Sequence, residues 1–290
     1  MLHPEAFHLG PLTIRWYGIM VALGFLAGYL LVTSRAAKRS VPTDVAADLV
    51  FWCMLGGIGG ARLLYVLQNW NAEFSGRWLE ALRIDHGGLV FYGGLIGASV
   101  VLALVCARKA VSLAVAADLI APALALGHAI GRLGCFLNGC CFGRPWDHAG
   151  AVQYAPPPAT GVLYVQQGQG KLAELATVPL PVFPIQLVST AVNIAIFLVL
   201  LLVLERRVRR PGQLFALYVM LYAVSRFVVE FGRGDYLDLV GLITPAQLIC
   251  MILFPLGAAG YIWLGRRPPQ APPGPRAEAP EPEPETDPGR

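Results

Sequence analysis

Arginine, tyrosine, histidine and glutamate side chains recur at helical spacing inside apolar stretches of this sequence. His128 and Arg132 are four residues apart, and Tyr222, Arg226 and Glu230 repeat the same interval twice, so each set shares one face of a helix. A guanidinium group inside an apolar stretch is unfavourable and is therefore a candidate for function. Its planar donors match the oxygens of a phosphate, which predicts recognition of a phosphate ester.

The elements that must position these side chains are membrane helices. Of the 290 residues, 56% are hydrophobic and 14% are charged, whereas about 25% of the residues of a soluble domain are charged. The net charge of +4 gives no indication of nucleic-acid binding. The fold class is predicted as an all-α polytopic membrane protein with seven transmembrane helices, because apolar stretches of spanning length lie at 15–34, 45–67, 88–107, 112–134, 183–204, 212–231 and 244–264.

The connections between these stretches predict the orientation of the chain. Lys and Arg cluster in the short connections after the first, third, fifth and seventh spans. The positive-inside rule then places the N-terminus outside and the C-terminus in the cytoplasm. In this orientation Arg62, Arg132 and Arg226 lie toward the outer ends of spans two, four and six, and Tyr17 and Tyr92 open spans one and three at the same depth.

Five helices thus bring polar side chains to one level beneath the outer surface, which predicts an anion-binding pocket. The anion most available at that level is a phospholipid head group. Alternatives remain for single residues: long arginine side chains near span ends can reach the interface, and Glu230 can neutralise Arg226 as a structural ion pair. Asp118 in span four is interpreted as a polar residue that packs helices together.

The chain divides into a seven-helix membrane domain, 1–264, and a tail, 265–290. Within the membrane domain, 144–182 is long and punctuated by Pro and Gly, and we interpret it as an external loop or small subdomain. The tail is rich in proline and acidic residues and is expected to be a disordered cytoplasmic extension.

The six cysteines show neither a CxxC pair nor a Cys/His zinc spacing. We therefore predict no disulfide framework, no metal ion and no cofactor. Cys140 and Cys141 are interpreted as small packing residues or as an external disulfide, with a role as an acceptor relay left open.

The run from 131 to 143, GRLGCFLNGCCFG, resembles the signature G-R-x-G-N-F-x-N-x-E-x-x-G of the prolipoprotein diacylglyceryl transferase family. The similarity extends to RWYG at 15–18, ARLLYV at 61–66, GGLVFYGGLIG at 87–97, DLIAP at 118–122 and the segment 222–233. The resemblance implies seven spans with an external N-terminus in the bacterial cytoplasmic (inner) membrane. It also implies transfer of the diacylglyceryl group of phosphatidylglycerol to the lipobox cysteine in the signal-peptide region of a prelipoprotein, with membrane lipids as partners and no cofactor.

Carried over residue by residue, the resemblance implies that Arg132 and Arg226 hold the phosphate of phosphatidylglycerol. The other substrate-binding candidates are Tyr17, Arg62, Asn138, Gly143, Tyr222, Glu230 and Arg233. Of these, Arg62 and Arg233 are expected to stand behind the residues that touch the lipid.

The sequence departs from the family pattern at four places. The first Asn of the signature is Cys135 and its Glu is Cys140, the His-Pro-x-Gln-Leu-Tyr motif becomes FPIQLV at 183–188, and the histidine of the third span corresponds to Tyr92. These departures concern the general base and the acceptor, and leave both arginines in place.

Three residues are candidates for the general base. Tyr92 is our prediction, as a base or a positioning hydroxyl, and its reference pKa of about 10 requires neighbouring arginines to lower it. His86 is interpreted as a solvated interfacial histidine, and His128 shares a helical face with Arg132 and lies deeper.

Other functions fit the same pocket. A phospholipid-binding or lipid-transporting membrane protein would use the same basic groups, but transport needs a route to the inner leaflet, and the polar residues concentrate on one side. A paralogue that uses a different acceptor is the second alternative. A solute transporter is disfavoured because no internal repeat is visible, and an intramembrane protease because neither a GxSxG motif nor paired membrane aspartates are present.

Overall fold

The computed structural model describes residues 2–10, 12–83, 87–157, 159–236 and 243–266. Within these ranges the chain forms one β-hairpin, of strands β1 (Glu5–Leu9) and β2 (Leu12–Arg15), and the helices α1 (Trp16–Arg35), α2 (Thr43–Asn69), α3 (Phe91–Arg108), α4 (Leu113–Asn138), α5 (Val162–Gly168), α6 (Ile185–Leu198), α7 (Glu205–Arg207), α8 (Gln213–Glu230) and α9 (Pro245–Arg266). His86 lies outside the described residues. So does the predicted tail, except for residues 265 and 266, which end α9.

Seven helices of the described chain are long and apolar enough to cross a membrane: α1, α2, α3, α4, α6 with its continuation through α7, α8 and α9. This confirms the predicted all-α fold with seven spans. The second span reaches Phe74, further than predicted, because a π-helical turn at Trp70–Phe74 continues α2. A second π-helical segment, Val199–Leu204, joins α6 to α7.

Glycines allow the closest helix contacts. A Cβ atom added at Gly60 or at Gly93 would overlap the backbone carbonyl of the other residue, and Gly56 and Gly97 face each other in the same way one turn along. Small residues permit such backbone approach between membrane helices. They make α2 and α3 a tight pair, while α4 packs against α1, α6 and α8 in the interior of the bundle.

At one end of the bundle, α2, α4 and α8 finish and α1, α3, α6 and α9 begin. We call this end the site end. The segment 144–182 lies there and packs around a small core of its own, formed by Phe142, Tyr154, Val162 and Val182. The Tyr154 hydroxyl donates to the Phe136 carbonyl at 2.9 Å, and burial raises the pKa of this hydroxyl, so it stays protonated as a donor. These contacts hold the segment against the last turn of α4.

At the opposite end, Asp118 ties α4 to the start of α8. Its side chain is fully buried, and its two carboxylate oxygens accept the backbone N–H groups of Gly212 and Phe215, each at 2.8 Å. Arg39 lies 3.6 Å from the same carboxylate. The interpretation of Asp118 as a helix-packing residue is confirmed.

Candidate functional site

Two arginines from separate helices meet near the site end. Arg132 on α4 and Arg226 on α8 line one small cavity, whose other lining residues are His128, Ser189, Val192, Asn193, Tyr222, Ser225 and Val229. The cavity therefore lies between α4, α6 and α8. The sequence placed the two arginines at one depth, and the helix packing turns both toward the same space.

On the α4 side, the four-residue spacing produces a direct contact. Arg132 Nε donates a hydrogen bond to His128 Nε2 at 3.2 Å, so this ring nitrogen is assigned as the unprotonated one. The His128 ring lies beside the Tyr222 ring of α8, with centroids 5.3 Å apart. His128 thus orients Arg132, and the ring pair joins the two helices.

On the α8 side, Arg226 belongs to a charged network. It forms an ion pair with the fully buried carboxylate of Glu230, and its Nη2 donates to the Tyr236 hydroxyl at 3.1 Å. Arg233 Nη1 lies 3.7 Å from the same carboxylate. The ion pair considered in the sequence analysis is therefore present, and it coexists with a place for Arg226 on the cavity wall.

Glu230 is also held from α9. The Thr244 hydroxyl donates to Glu230 Oε1 at 2.8 Å. Thr244 and Gln247 form a capping box at the start of α9. The backbone N–H of Gln247 donates to Thr244 Oγ1 at 3.2 Å, and the backbone N–H of Thr244 donates to Gln247 Oε1 at 3.0 Å. The T-x-x-Q pattern at 244–247 is a sequence signal for this cap, and sequence reasoning missed it.

Arg233 is fixed in the loop after α8. Its Nε and Nη2 donate to the two carboxylate oxygens of Asp235 at 2.9 and 2.6 Å, and its guanidinium lies 4.6 Å from the centroid of the Tyr236 ring. Burial acts to lower the pKa of Arg233, but the hydrogen bonds with Asp235 raise it overall. Asp235 and Tyr236 are further residues of the site that sequence reasoning missed.

Gly143 anchors this loop through its backbone. Its amide donates to the Phe183 carbonyl at 3.0 Å, and it forms a β-bridge with Arg233. A Cβ atom at Gly143 would lie 2.5 Å from the Phe183 carbonyl oxygen and 3.2 Å from that of Gly232. Only glycine fits this close approach. The approach allows the backbone bridge to Arg233, and this bridge holds Arg233 in position.

Tyr17 packs against α4, and Asn138 lines a second cavity. The Tyr17 ring packs over Gly134 of α4. Asn138, the last residue of α4, lines a cavity of about 310 Å³, whose other lining residues are Arg15, Gly139, Cys140, Cys141, Phe142, Ala159, Thr160, Gly161, Val165 and Asp235. Because Asp235 pairs with Arg233, this cavity adjoins the charged network.

Arg62 has different surroundings from the other two membrane arginines. Its guanidinium donates to backbone carbonyls of the connection between α2 and α3, those of Glu80, Ala81, Gly87 and Gly88, at 2.8 to 3.2 Å. It also lies 5.5 Å from the centroid of the Tyr65 ring. In this structure Arg62 clamps the connection, and it is not among the residues that line the arginine cavity.

Tyr92 lies in the first turn of α3 with 51% of its surface exposed. It is not among the residues that line the arginine cavity. Its role as a base or positioning hydroxyl stays a prediction.

Three thiols form a cluster beside the 310 Å³ cavity. The Sγ atoms of Cys135, Cys140 and Cys141 all lie within 4.8 Å of one another, and all three cysteines are free. In the part of the chain that the structure describes, this is the group of side chains with the geometry to hold a metal ion.

The chain is similar to known proteins along most of its length. A family model described as prolipoprotein diacylglyceryl transferase matches residues 4–263. Proteins named phosphatidylglycerol–prolipoprotein diacylglyceryl transferase are similar to this chain: one from Gloeobacter violaceus (34% identity over 91% of this chain and 93% of the relative), one from Lysinibacillus sphaericus (32%, 90% and 92%) and one from Bordetella bronchiseptica (34%, 92% and 97%). The chain belongs to the prolipoprotein diacylglyceryl transferase family.

Proposed function

We propose that this protein transfers the diacylglyceryl group of phosphatidylglycerol to the lipobox cysteine of a prolipoprotein, and that Arg132 and Arg226 bind the phosphate. The names of its relatives support the reaction. The observation that carries the assignment of the site is the cavity that both arginines line.

The charge balance of the network favours an anionic substrate. The network contains three positive charges, on the guanidinium groups of Arg132, Arg226 and Arg233. It contains two negative charges, on the carboxylates of Glu230 and Asp235. One positive charge is thus left over at a depth where burial of an unpaired charge is unfavourable. A phosphodiester carries the single negative charge that neutralises it, and guanidinium donors fit its oxygens.

The reaction places new negative charge where these arginines lie. The lipobox sulfur attacks C3 of the diacylglyceryl group, a C–S bond forms, and the C–O bond to the phosphate breaks with release of glycerol phosphate. Charge then grows on the departing phosphate. Two preorganised guanidinium groups stabilise it, and loss of one such donor typically slows a reaction by about 10²–10³-fold.

The thiol proton must pass to a base, for which Tyr92 is our candidate. The neighbouring alternative, His128, already accepts a hydrogen bond from Arg132 through its Nε2, so the lone pair that a base needs is occupied. Tyr92 is half-exposed at the start of α3, where a substrate approaching from the lipid can contact it. Tyr17, Asn138 and Tyr222 complete our proposed pocket around the lipid head group.

The protein is a multi-pass membrane protein, and we place it in the cytoplasmic (inner) membrane of a bacterium with the site end outward. The support is the distribution of basic residues, which cluster at the opposite end of the bundle: Arg35, Lys38, Arg39, Arg108, Lys109, Arg206, Arg207, Arg209, Arg210 and Arg266. The acceptor's lipobox then meets the lipid at the outer leaflet.

A direct assay tests this proposal. Purified protein is supplied with phosphatidylglycerol and a lipobox peptide, and the thioether product is measured by mass spectrometry. Arg132→Ala should slow product formation by about 10²–10³-fold, whereas Arg77→Ala, which removes an exposed arginine paired with Glu80, should leave it unchanged. Full activity of the Arg132 variant, or phosphatidylglycerol binding without product in the unaltered protein, would overturn the proposal, and the latter result would favour a lipid-binding function.

A further inference from the structure

We propose that Cys135, Cys140 and Cys141 form a binding site for a thiophilic metal ion and that Cu(I) is the metal that fits it best. Their Sγ atoms lie within 4.8 Å of one another. A trigonal complex with metal–sulfur bonds of about 2.3 Å, the length of zinc–thiolate bonds, spaces its sulfurs about 4 Å apart. Small side-chain rotations therefore suffice to close the three thiols around one ion.

The backbone brings the three thiols together through a tight turn. Cys135 lies in the last turn of α4, and Gly139 ends the helix in the left-handed conformation, with φ of 72°. The chain then reverses, and the Cys140 amide donates to the Cys135 carbonyl at 3.2 Å. The turn is a common helix ending, and it places residues 140 and 141 beside the side chain of residue 135.

Two features hold this arrangement rigidly. Cys141 has φ of 59°, a left-handed conformation that residues other than glycine seldom adopt. The buried side chain of Gln186 donates to the Cys140 carbonyl at 2.9 Å. Such a conformation persists only where the surroundings enforce it, so the thiols are preorganised and binding requires little ordering of the chain.

The ligand set selects the metal. Thiolates are soft ligands that favour Cu(I) and zinc over harder ions. Structural zinc sites use four ligands, and among the described residues no histidine or carboxylate joins the three sulfurs in the cluster. Three sulfurs alone match trigonal Cu(I), and Cys140 and Cys141 line the 310 Å³ cavity through which an ion can enter.

The inference goes beyond the transferase reaction, and its test does not use that activity. The reduced full-length protein is titrated anaerobically with Cu(I) against a chromogenic Cu(I) chelator. We expect one ion per chain, accompanied by a thiolate-to-metal absorption band. Cys141→Ser should weaken the binding by at least tenfold, and Cys53→Ser, which alters a half-buried thiol of α2, should leave it unchanged.

Two results would overturn the proposal. One is unchanged Cu(I) affinity in each of the single serine variants at 135, 140 and 141, with folding checked by size-exclusion chromatography and thermal unfolding. The other is X-ray absorption of the loaded protein that shows fewer than three sulfur neighbours. A protein that leaves Cu(I) with the chelator but binds Zn(II) would overturn the choice of metal.

Discussion

Arg132 and Arg226 face one cavity, yet each is held by a different partner. Arg132 Nε donates to His128, and Arg226 pairs with Glu230. Each partner lies four residues from its arginine on the same helix. The two guanidinium groups are thus oriented before any lipid arrives. Because they need no reorientation during the reaction, they stabilise the charge that develops on the phosphate more strongly.

The buried carboxylate of Glu230 should be more important for stability than an exposed one. Glu230→Gln leaves Arg226 and Arg233 with one counter-charge fewer, and removing one partner of a buried pair costs about 3–5 kcal/mol. We expect a clear drop in the thermal unfolding midpoint in detergent. Glu80→Gln, which breaks an exposed pair with Arg77 at 3.6 Å, is the matched control, and equal midpoints for the two variants would contradict the network.

Gly143 should tolerate no side chain. Gly143→Ala places a methyl group against the Phe183 carbonyl, and overpacking of this kind costs about 1–3 kcal/mol. Because the same residue pairs with Arg233, we expect reduced activity together with reduced stability. The added methyl group of Gly59→Ala meets no atom within 4 Å, so this control variant should keep both its activity and its stability. A fully active and stable Gly143 variant would show that the loop is not held in this way.

Tyr92→Phe tests the proposed base. Loss of a general base or a positioning hydroxyl should lower kcat by about 10²–10⁴-fold and leave KM for phosphatidylglycerol nearly unchanged, since Tyr92 does not line the arginine cavity. Tyr164→Phe, at an exposed tyrosine of α5, is the control. Unchanged kcat would remove Tyr92 from the mechanism and leave the phosphate site intact.

Asp118 should contribute to stability and not to turnover. Asp118→Asn removes the charge that faces Arg39 and weakens the acceptors of two backbone amides, which costs about 1–3 kcal/mol. We expect a lower unfolding midpoint with normal activity per folded molecule. Asp48→Asn, which affects a partly exposed pair with Lys109, should change neither. A turnover defect in the Asp118 variant that persists after correction for the folded fraction would contradict this assignment.

The sequence was sufficient for features that depend on local periodicity. Apolar length predicted the seven spans, and the four-residue spacing predicted the shared faces of His128 with Arg132 and of Tyr222 with Arg226 and Glu230. A helix converts such spacing directly into a common face. The position of both arginines near one end of the bundle followed from their places in spans four and six, which run in the same direction.

Features that depend on loops could not be predicted in this way. Asp235, Tyr236 and Thr244 enter the site from outside α8, where no periodicity relates them to Arg226. The role of Arg62 depends on the path of the α2–α3 connection, which brings four carbonyls to one guanidinium. The cysteine cluster depends on the turn at Gly139 and on the positive φ of Cys141, neither of which a search for metal-ligand spacing detects.

The central claim is that Arg132 and Arg226 bind one and the same phosphate, and a double-mutant cycle on kcat/KM tests it most directly. Each single alanine variant should lose about 10²–10³-fold. If the two groups act on one phosphate, the double variant should lose far less than the product of the single losses, because contributions to a shared interaction are not additive. Strictly multiplicative losses would mean that the two arginines act independently and would contradict the account.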